Sequence, residues 1–269
     1  MQKEQLLAPF IKGDIYGPGN NLRGAELELV FCKRQKDGTL TPANVCHHII
    51  PKIWAAYPDE KDFFDVEFSA YQIEIKAGPY ADFYQVVKAL LRRIKIVREF
   101  AAREGYEAHA IAYIHGPVEI MTNPLKPRYE AYRKRFPEKA DAMVRVAGLH
   151  IHTGVESFKE SLRIYNAHVE ALLDIINRGW MHPDRLKAFV EIIFNGFFSP
   201  KYKGLDCMYK QAVKFGFQDD LSLDFGGIRQ HPIFGTVEDR PFDPRDTEDG
   251  LLEFCEFIED VNRGVRLAA

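Results

Sequence analysis

Residues 24–31 read GAELELVF, with glutamates at 26 and 28 between apolar side chains. Such alternation predicts a half-buried β-strand, because successive side chains leave a strand on opposite faces. Glu26 and Glu28 then share one face, and Leu27 and Leu29 the other. The pattern returns in three more segments. VEFSAYQIEIKAG (66–78) sets Gln72 and Glu74 two apart, GLHIHTGV (148–155) does so with His150 and His152, and TVEDRPF (236–242) with Glu238 and Arg240. Leu27, Ile73 and Ile151 are expected to face a core, a pattern from which Asp239 departs. Strands of this kind suit an antiparallel sheet covered by helices on one face better than a doubly buried parallel sheet.

The intervening segments supply the helices. Val86, Val87, Leu90, Leu91, Ile94 and Val97 fall at helical spacing within 82–104. Tyr129–Arg145 is helix-compatible, with Pro137 breaking or restarting it. Ser157 and Glu160 form a capping box for a helix ending near Gly179, and Pro183 opens another that runs to about Gly196. Thr247 caps a last helix to Arg263. Val66–Ile75 reads as one strand closed by Ala77-Gly78-Pro79, and HAIAYIH (109–115) as a further strand. No linker or repeat divides the chain, so the expectation is one α+β domain over residues 1–269.

Composition narrows the function. The chain has 269 residues, 46% hydrophobic and 13% aromatic, which argues against disorder. With 36 basic against 39 acidic residues, the net charge of −3 does not fit a general nucleic-acid binder. No apolar run approaches the roughly 18 residues that span a bilayer, and the opening MQKEQLLAPFIKGD has no secretory apolar core. Cys32, Cys46, Cys207 and Cys255 lack metal or disulfide spacing and read as reduced thiols of a cytoplasmic protein. Cys46-His47-His48 reads as structural, the Arg92-Arg93…Lys95…Arg98 run as the solvated side of a helix, and Phe194, Phe197 and Phe198 as core.

If the alternating strands share a sheet, one face carries Glu, Gln, His and Arg together. Clustered carboxylates repel unless a cation sits among them, and their oxygens suit Mg²⁺. An arginine beside them suits a phosphate or a carboxylate. Arg229 follows Gly226-Gly227, a pair that permits close approach of backbone to an anion and equally permits a plain turn. Any single pair also fits the solvent face of a strand; their recurrence favours a divalent-metal and phosphate site.

These segments, in order, resemble one family. GAELELVF (24–31) resembles the opening G-[VI]-E-x-E strand of the glutamate–cysteine ligase superfamily, especially its carboxylate–amine ligase branch. VEFSAYQIEIKAG (66–78) is similar to its second acidic strand, PRYEAY (127–132) to its Arg-Tyr segment, and GLHIHTGV (148–155) to its G-x-H-[VI]-H-V-G-V strand. FFSPKYKGLDCMYKQA (197–212) matches its N-S-P-F helix entry more loosely. GIRQHPIFGTVEDRPFD (227–243) is similar to its closing I-R-P-x-P-x-[FY]-x-T-x-E-x-R segment.

The resemblance implies an antiparallel sheet curled into an active-site cup and backed by helices, as in the catalytic domain of glutamine synthetase. It implies ATP-dependent amide formation through an acyl phosphate, with glutamate or a related amino acid as the carboxylate and an amino acid or small amine as its partner. It gives Mg²⁺ (or Mn²⁺) to Glu26, Glu28, Glu74 and Glu238, with Glu67 at the family's upstream acidic position and His150 as a ligand or phosphate contact. Arg229, Arg240 and His152 are then contacts of ATP, and Arg128 faces the amino-acid carboxylate or the transferred phosphate. Glu67 and Glu74 have opposite parity on a regular strand, so both reach one site only across a bulge or turn. Relatives are often oligomeric, and many carry G-T-H-P where this chain has AYIHGP (112–117), leaving His115 either in that role or at a strand end. The segment from Gly216 to Gly227 is shorter than in relatives, and Asp206 and Lys210 depart from the family pattern. A catalytically silent nucleotide- or amino-acid-binding relative is the alternative from another class, and a metal-dependent hydrolase a third.

Overall fold

A computed structural model of the chain describes residues 2–17, 20–119, 121–193, 198, 200–221, 224 and 226–267. In chain order it has helices α1 (Gln2–Leu6) and α2 (Ala8–Lys12), strands β1 (Arg23–Arg34) and β2 (Leu40–Pro42), and helix α3 (Cys46–Ala56). Strands β3 (Phe64–Val66) and β4 (Gln72–Tyr80), helix α4 (Phe83–Arg103) and strand β5 (Glu107–His109) follow. Then come α5 (Pro127–Arg135), α6 (Pro137–Met143), β6 (Leu149–Gly154), α7 (Phe158–Asn177) and α8 (Pro183–Lys187). The described elements end with α9 (Leu205–Phe215), β7 (Ile228–Gln230), β8 (Thr236–Phe242) and α10 (Glu248–Leu267).

The strands form one sheet in the order β3-β4-β1-β6-β8-β7, with β2 and β5 also paired to β1, and every described pairing is antiparallel. Leu27, Leu29, Ile73, Ile75 and Ile151 point to one face and form the main core with Val86, Leu90, Val97, Phe254 and Ile258 of α4 and α10. Burying that stripe is the main force holding helices to sheet, at roughly 2 kcal/mol per large side chain. At one end of the opposite face Val30, Cys32, Phe68, Tyr71, Ala140 and Val144 form a second cluster, which lays α6 over the sheet and closes that end. The result is an α+β fold with an antiparallel sheet backed by helices.

The helix caps follow the sequence. Asp82 accepts from the Gln85 amide at 2.9 Å and opens α4. Ser157 accepts from the Glu160 amide at 3.2 Å, while Glu160 reaches back to the Glu156 amide at 2.8 Å. Thr247 accepts from the Gly250 amide at 3.3 Å. Among the described residues no helix is long and apolar enough to cross a membrane.

Several expectations are corrected. Val66–Ile75 is a hairpin, with residues 67–71 turning between β3 and β4, and β4 runs on through Gly78 to Tyr80. Of residues 107–115, only 107–109 form a strand, because β6 occupies the remainder of that edge of β1. Arg93 is buried: it donates to the Lys76 carbonyl at 2.8 Å and lies over the Phe63 ring at 3.8 Å. Its spacing from Val86, Leu90 and Val97 places it in the apolar stripe of α4. Phe198 is about half exposed (48%), whereas Phe194, Phe197 and the expected end of a helix near Gly196 lie outside the described residues.

Candidate active site

Register decides which side chains meet on the open face. Glu26 stands opposite His150 of β6 and Lys76 of β4, and Glu28 stands opposite Glu74. Farther across, His152 pairs with Glu238, which in turn faces Arg229. His150 occupies the centre. Its Nδ1 lies 3.6 Å from Glu26 Oε2 and 3.7 Å from Glu238 Oε1, and its Nε2 lies 3.8 Å from Glu28 Oε1. Two donor triads result, Glu26/His150/Glu238 and Glu28/Glu74/His150, each with ligand atoms within 4.8 Å of one another. His150 Nδ1 and His152 Nε2 are buried without a hydrogen-bond partner. Carboxylate oxygens with one imidazole, and orphaned ring nitrogens among them, fit a Mg²⁺ or Mn²⁺ ion.

The chain's own cations occupy part of this face. Glu238 is fully buried and accepts from Arg229 Nε at 2.5 Å and from Arg240 Nη1 at 2.8 Å. Lys76 lies 3.0 Å from Glu74 and 3.2 Å from Asp65.

These neighbours split the carboxylates into two kinds. Burial opposes ionisation of Glu26, but His150 and His152 beside it outweigh that and hold its pKa well below the usual range. Burial likewise opposes ionisation of Glu238, and the two arginines prevail. Glu28, by contrast, is pushed up to about 8 by burial and then by the Glu67 charge, despite accepting from the Gly148 amide at 2.7 Å. Burial raises Glu67 as well, and burial with the Glu26 charge raises Glu74 well above the usual range. His150 falls to about 4 through burial and the Arg240 charge, so its imidazole is neutral at pH 7.

Among the described residues, two cavities adjoin the cluster. The outer one, about 450 Å³, is lined by Glu26, Lys76, His152, Phe63, Pro79 and Phe234, among others. Gly78, also in its lining, has φ +115° and lies so close to β1 that a Cβ would sit 2.6 Å from the Arg23 carbonyl oxygen. The inner one, about 70 Å³, is bounded by Glu28, Glu67, His150, Arg185, Arg240 and Phe189, among others.

The structure therefore brings Glu26, Glu28, Glu74, Glu238, His150, His152, Arg229 and Arg240 to one face. Glu67 joins them because the turn between β3 and β4 removes the parity conflict. Gln72 donates to the Val146 carbonyl at 2.6 Å. Arg128 is exposed on α5 with its guanidinium over the Tyr129 ring, and it lines neither cavity. His115 stands apart, 3.8 Å from Asp184 and beside His182. Asp206 is exposed and pairs with Lys3.

Two residues escaped the sequence reading. Lys76 was within reach, since it stands two beyond Glu74 on one strand. Arg185, in the short helix α8, carries no local signal at all.

A model of glutamate-cysteine ligase family 2 matches residues 22–173. Among curated proteins no significant match is found. The fold is similar to that of a bifunctional glutathione synthetase from Pasteurella multocida, with TM-score 0.61 and 13% identity. That match covers 97% of this chain but 41% of the synthetase, so the chain spans about two-fifths of that protein. Glutamine synthetase from Plasmodium falciparum matches at TM-score 0.48 and 14% identity, covering 100% of this chain and 56% of its own. Matched over more than half its length, from β1 into α7, the chain belongs to glutamate-cysteine ligase family 2.

Proposed function

We propose that the protein is an ATP-dependent carboxylate–amine ligase that joins glutamate, or a related amino acid, to an amine through an acyl phosphate. The observation that carries this reading is the convergence of two carboxylate–histidine triads with Arg229 and Arg240 on one face. Glu26, Glu28, Glu74, Glu238 and His150 would hold Mg²⁺, which when bound supplies charge neutralisation for the phosphates.

The remaining work falls to the chain. The outer cavity has the size and the apolar walls for a nucleotide base, with His152 at its edge. Arg229 and Arg240 would exchange Glu238 for phosphate oxygens. In the reaction the γ-phosphoryl group leaves ADP for a carboxylate oxygen. The amine nitrogen then attacks the acyl carbon, the bond to phosphate breaks, and an amide, phosphate and a proton are released. Glu67, a half-buried carboxyl of raised proton affinity at the inner cavity, would take that proton in its ionised form. Phe68, Val146 and Phe189 around it would keep water from the acyl phosphate.

ADP release from ATP should require Mg²⁺, L-glutamate and an amine together. A panel of acid and amine pairs that gives no ADP above background removes the assignment.

One observation favours a second reading, a catalytically silent nucleotide binder. Glu74 and Glu238 already have cations of the protein against them, namely Lys76, Arg229 and Arg240. Tight Mg·ATP binding by calorimetry with no turnover for any pair would favour it.

A further inference from the structure

Strand β8 does not run evenly beside β6. Leu149 pairs with Phe242 and Ile151 with Asp239, so a single residue of β6, His150, faces two of β8, Arg240 and Pro241. The Arg240 amide is bonded to the Gly227 carbonyl, and Pro241 has no amide hydrogen. A bulge of this kind leaves carbonyls off the ladder, and buried carbonyls need donors.

Both donors come from Arg185. Its Nη2 donates to the Arg240 carbonyl and its Nη1 to the Pro241 carbonyl, each at 2.9 Å. Arg185 is 1% exposed, lies over the Phe189 ring at 5.1 Å, and has Asp243 Oδ1 3.5 Å from Nη1. Gly148 makes room for it, since a Cβ there would collide with the guanidinium. A fully buried arginine is costly, and a hydrophobic side chain would fill the volume more cheaply if packing were its only task. What its planar fork supplies is two parallel donors at fixed spacing, matched to two successive carbonyls.

We propose that Arg185 is the positioning residue of this site: by clamping the backbone of the β8 bulge it fixes the direction in which Arg240 leaves the strand, and with it the contact to the terminal phosphate. The inference rests on the ligase reading for what Arg240 grips, and on β8 alone for how Arg240 is held. Arg185 bounds the inner cavity, but both its Nη atoms donate to the β8 backbone while Nε has no hydrogen-bond partner, so its effect on Arg240 passes through that backbone.

The test measures affinity for Mg²⁺ with a non-hydrolysable ATP analogue and for Mg·ADP, in the wild type and in Arg185→Met and Arg185→Lys. The expected result is an ADP affinity within twofold of wild type and a loss of preference for the triphosphate, about 30-fold in Met and about 10-fold in Lys, whose ammonium can serve one carbonyl at a time. If the Met variant does not fold, the Lys variant decides. Equal losses for both nucleotides, or an unchanged preference, would overturn the proposal. The Nε–H resonance of Arg240 in nucleotide-free protein gives a second readout. It should shift in Arg185→Lys, and an unmoved resonance also overturns the clamp. A wild type that binds neither nucleotide refutes the ligase reading, while the resonance still judges the clamp.

Discussion

The outer and inner halves of the acidic sheet face use the same residue type to opposite effect. Glu26 and Glu238 sit against His150, His152 and two arginines, and their carboxyls are held ionised despite burial. Glu28, Glu67 and Glu74 are as deeply placed but face one another, and all three are pushed toward the protonated state. The directly opposed Glu28 and Glu74 of β1 and β4 are the sharpest case, since like charges across a ladder destabilise the pair. The outer half is thus matched by the chain's own cations in the free protein, whereas in the inner half Lys76 beside Glu74 does not offset burial and carboxylate repulsion, so an added proton or cation is favoured there.

The largest effect that could undo this contrast lies at Glu238. Glu238→Gln removes the fully buried carboxylate that pairs with buried Arg229 and half-buried Arg240 and should cost about 3–5 kcal/mol of stability. Thermal melts should show it, together with loss of metal-dependent nucleotide binding; a variant as stable as wild type would mean that the two ion pairs at Glu238 contribute little to the fold.

A smaller effect separates the halves by pH. An inner carboxyl with folded pKa near 8, against an ordinary 4.5, binds more protons folded than unfolded across that window. Its contribution therefore declines as pH rises from about 5 to 8, by at most about 1.4 kcal/mol per pH unit. The outer carboxyls behave oppositely: with folded values below the usual range, their contribution is present above about 4.5 and lost as pH falls through the folded value. Metal-free Glu28→Gln should accordingly be more stable than wild type at pH 8 and show a flatter profile there, whereas Glu26→Gln should be less stable than wild type at neutral pH, a deficit that disappears only in acid. Identical profiles would erase the distinction. Mg²⁺ should restore wild-type stability at pH 8 with release of protons, readable by calorimetry in buffers of different ionisation enthalpy.

The smallest effect is expected at Arg128. It is exposed and outside both cavities, so Arg128→Ala should change stability by no more than about 0.5 kcal/mol. A large rise in the KM for the acid, without loss of stability, would bring it into the site.

Much of this site was legible beforehand because strand parity is a local rule. Glu26 with Glu28, His150 with His152, and Glu238 with Arg240 each announce a shared face from two residues apart. Arg93 shows the rule neglected: its helical spacing already marked it as buried, and its charge argued misleadingly for solvent. Glu67 depended on the turn at 67–71, which the apolar run Val66–Ile75 conceals. His115 lay beyond any local rule, since its place follows from where α8 packs.

What the chain wrote locally was therefore its strand faces, its capped helices and the acidic character of one surface, because side-chain alternation and end-capping act over two to four residues. Tertiary structure alone decided that Glu28 faces Glu74, that His150 turns one nitrogen to each triad, and that Arg185 closes on the bulge of β8. Those outcomes depend on register and on helix packing between segments many residues apart, where a one-residue slip would turn every carboxylate to the other face.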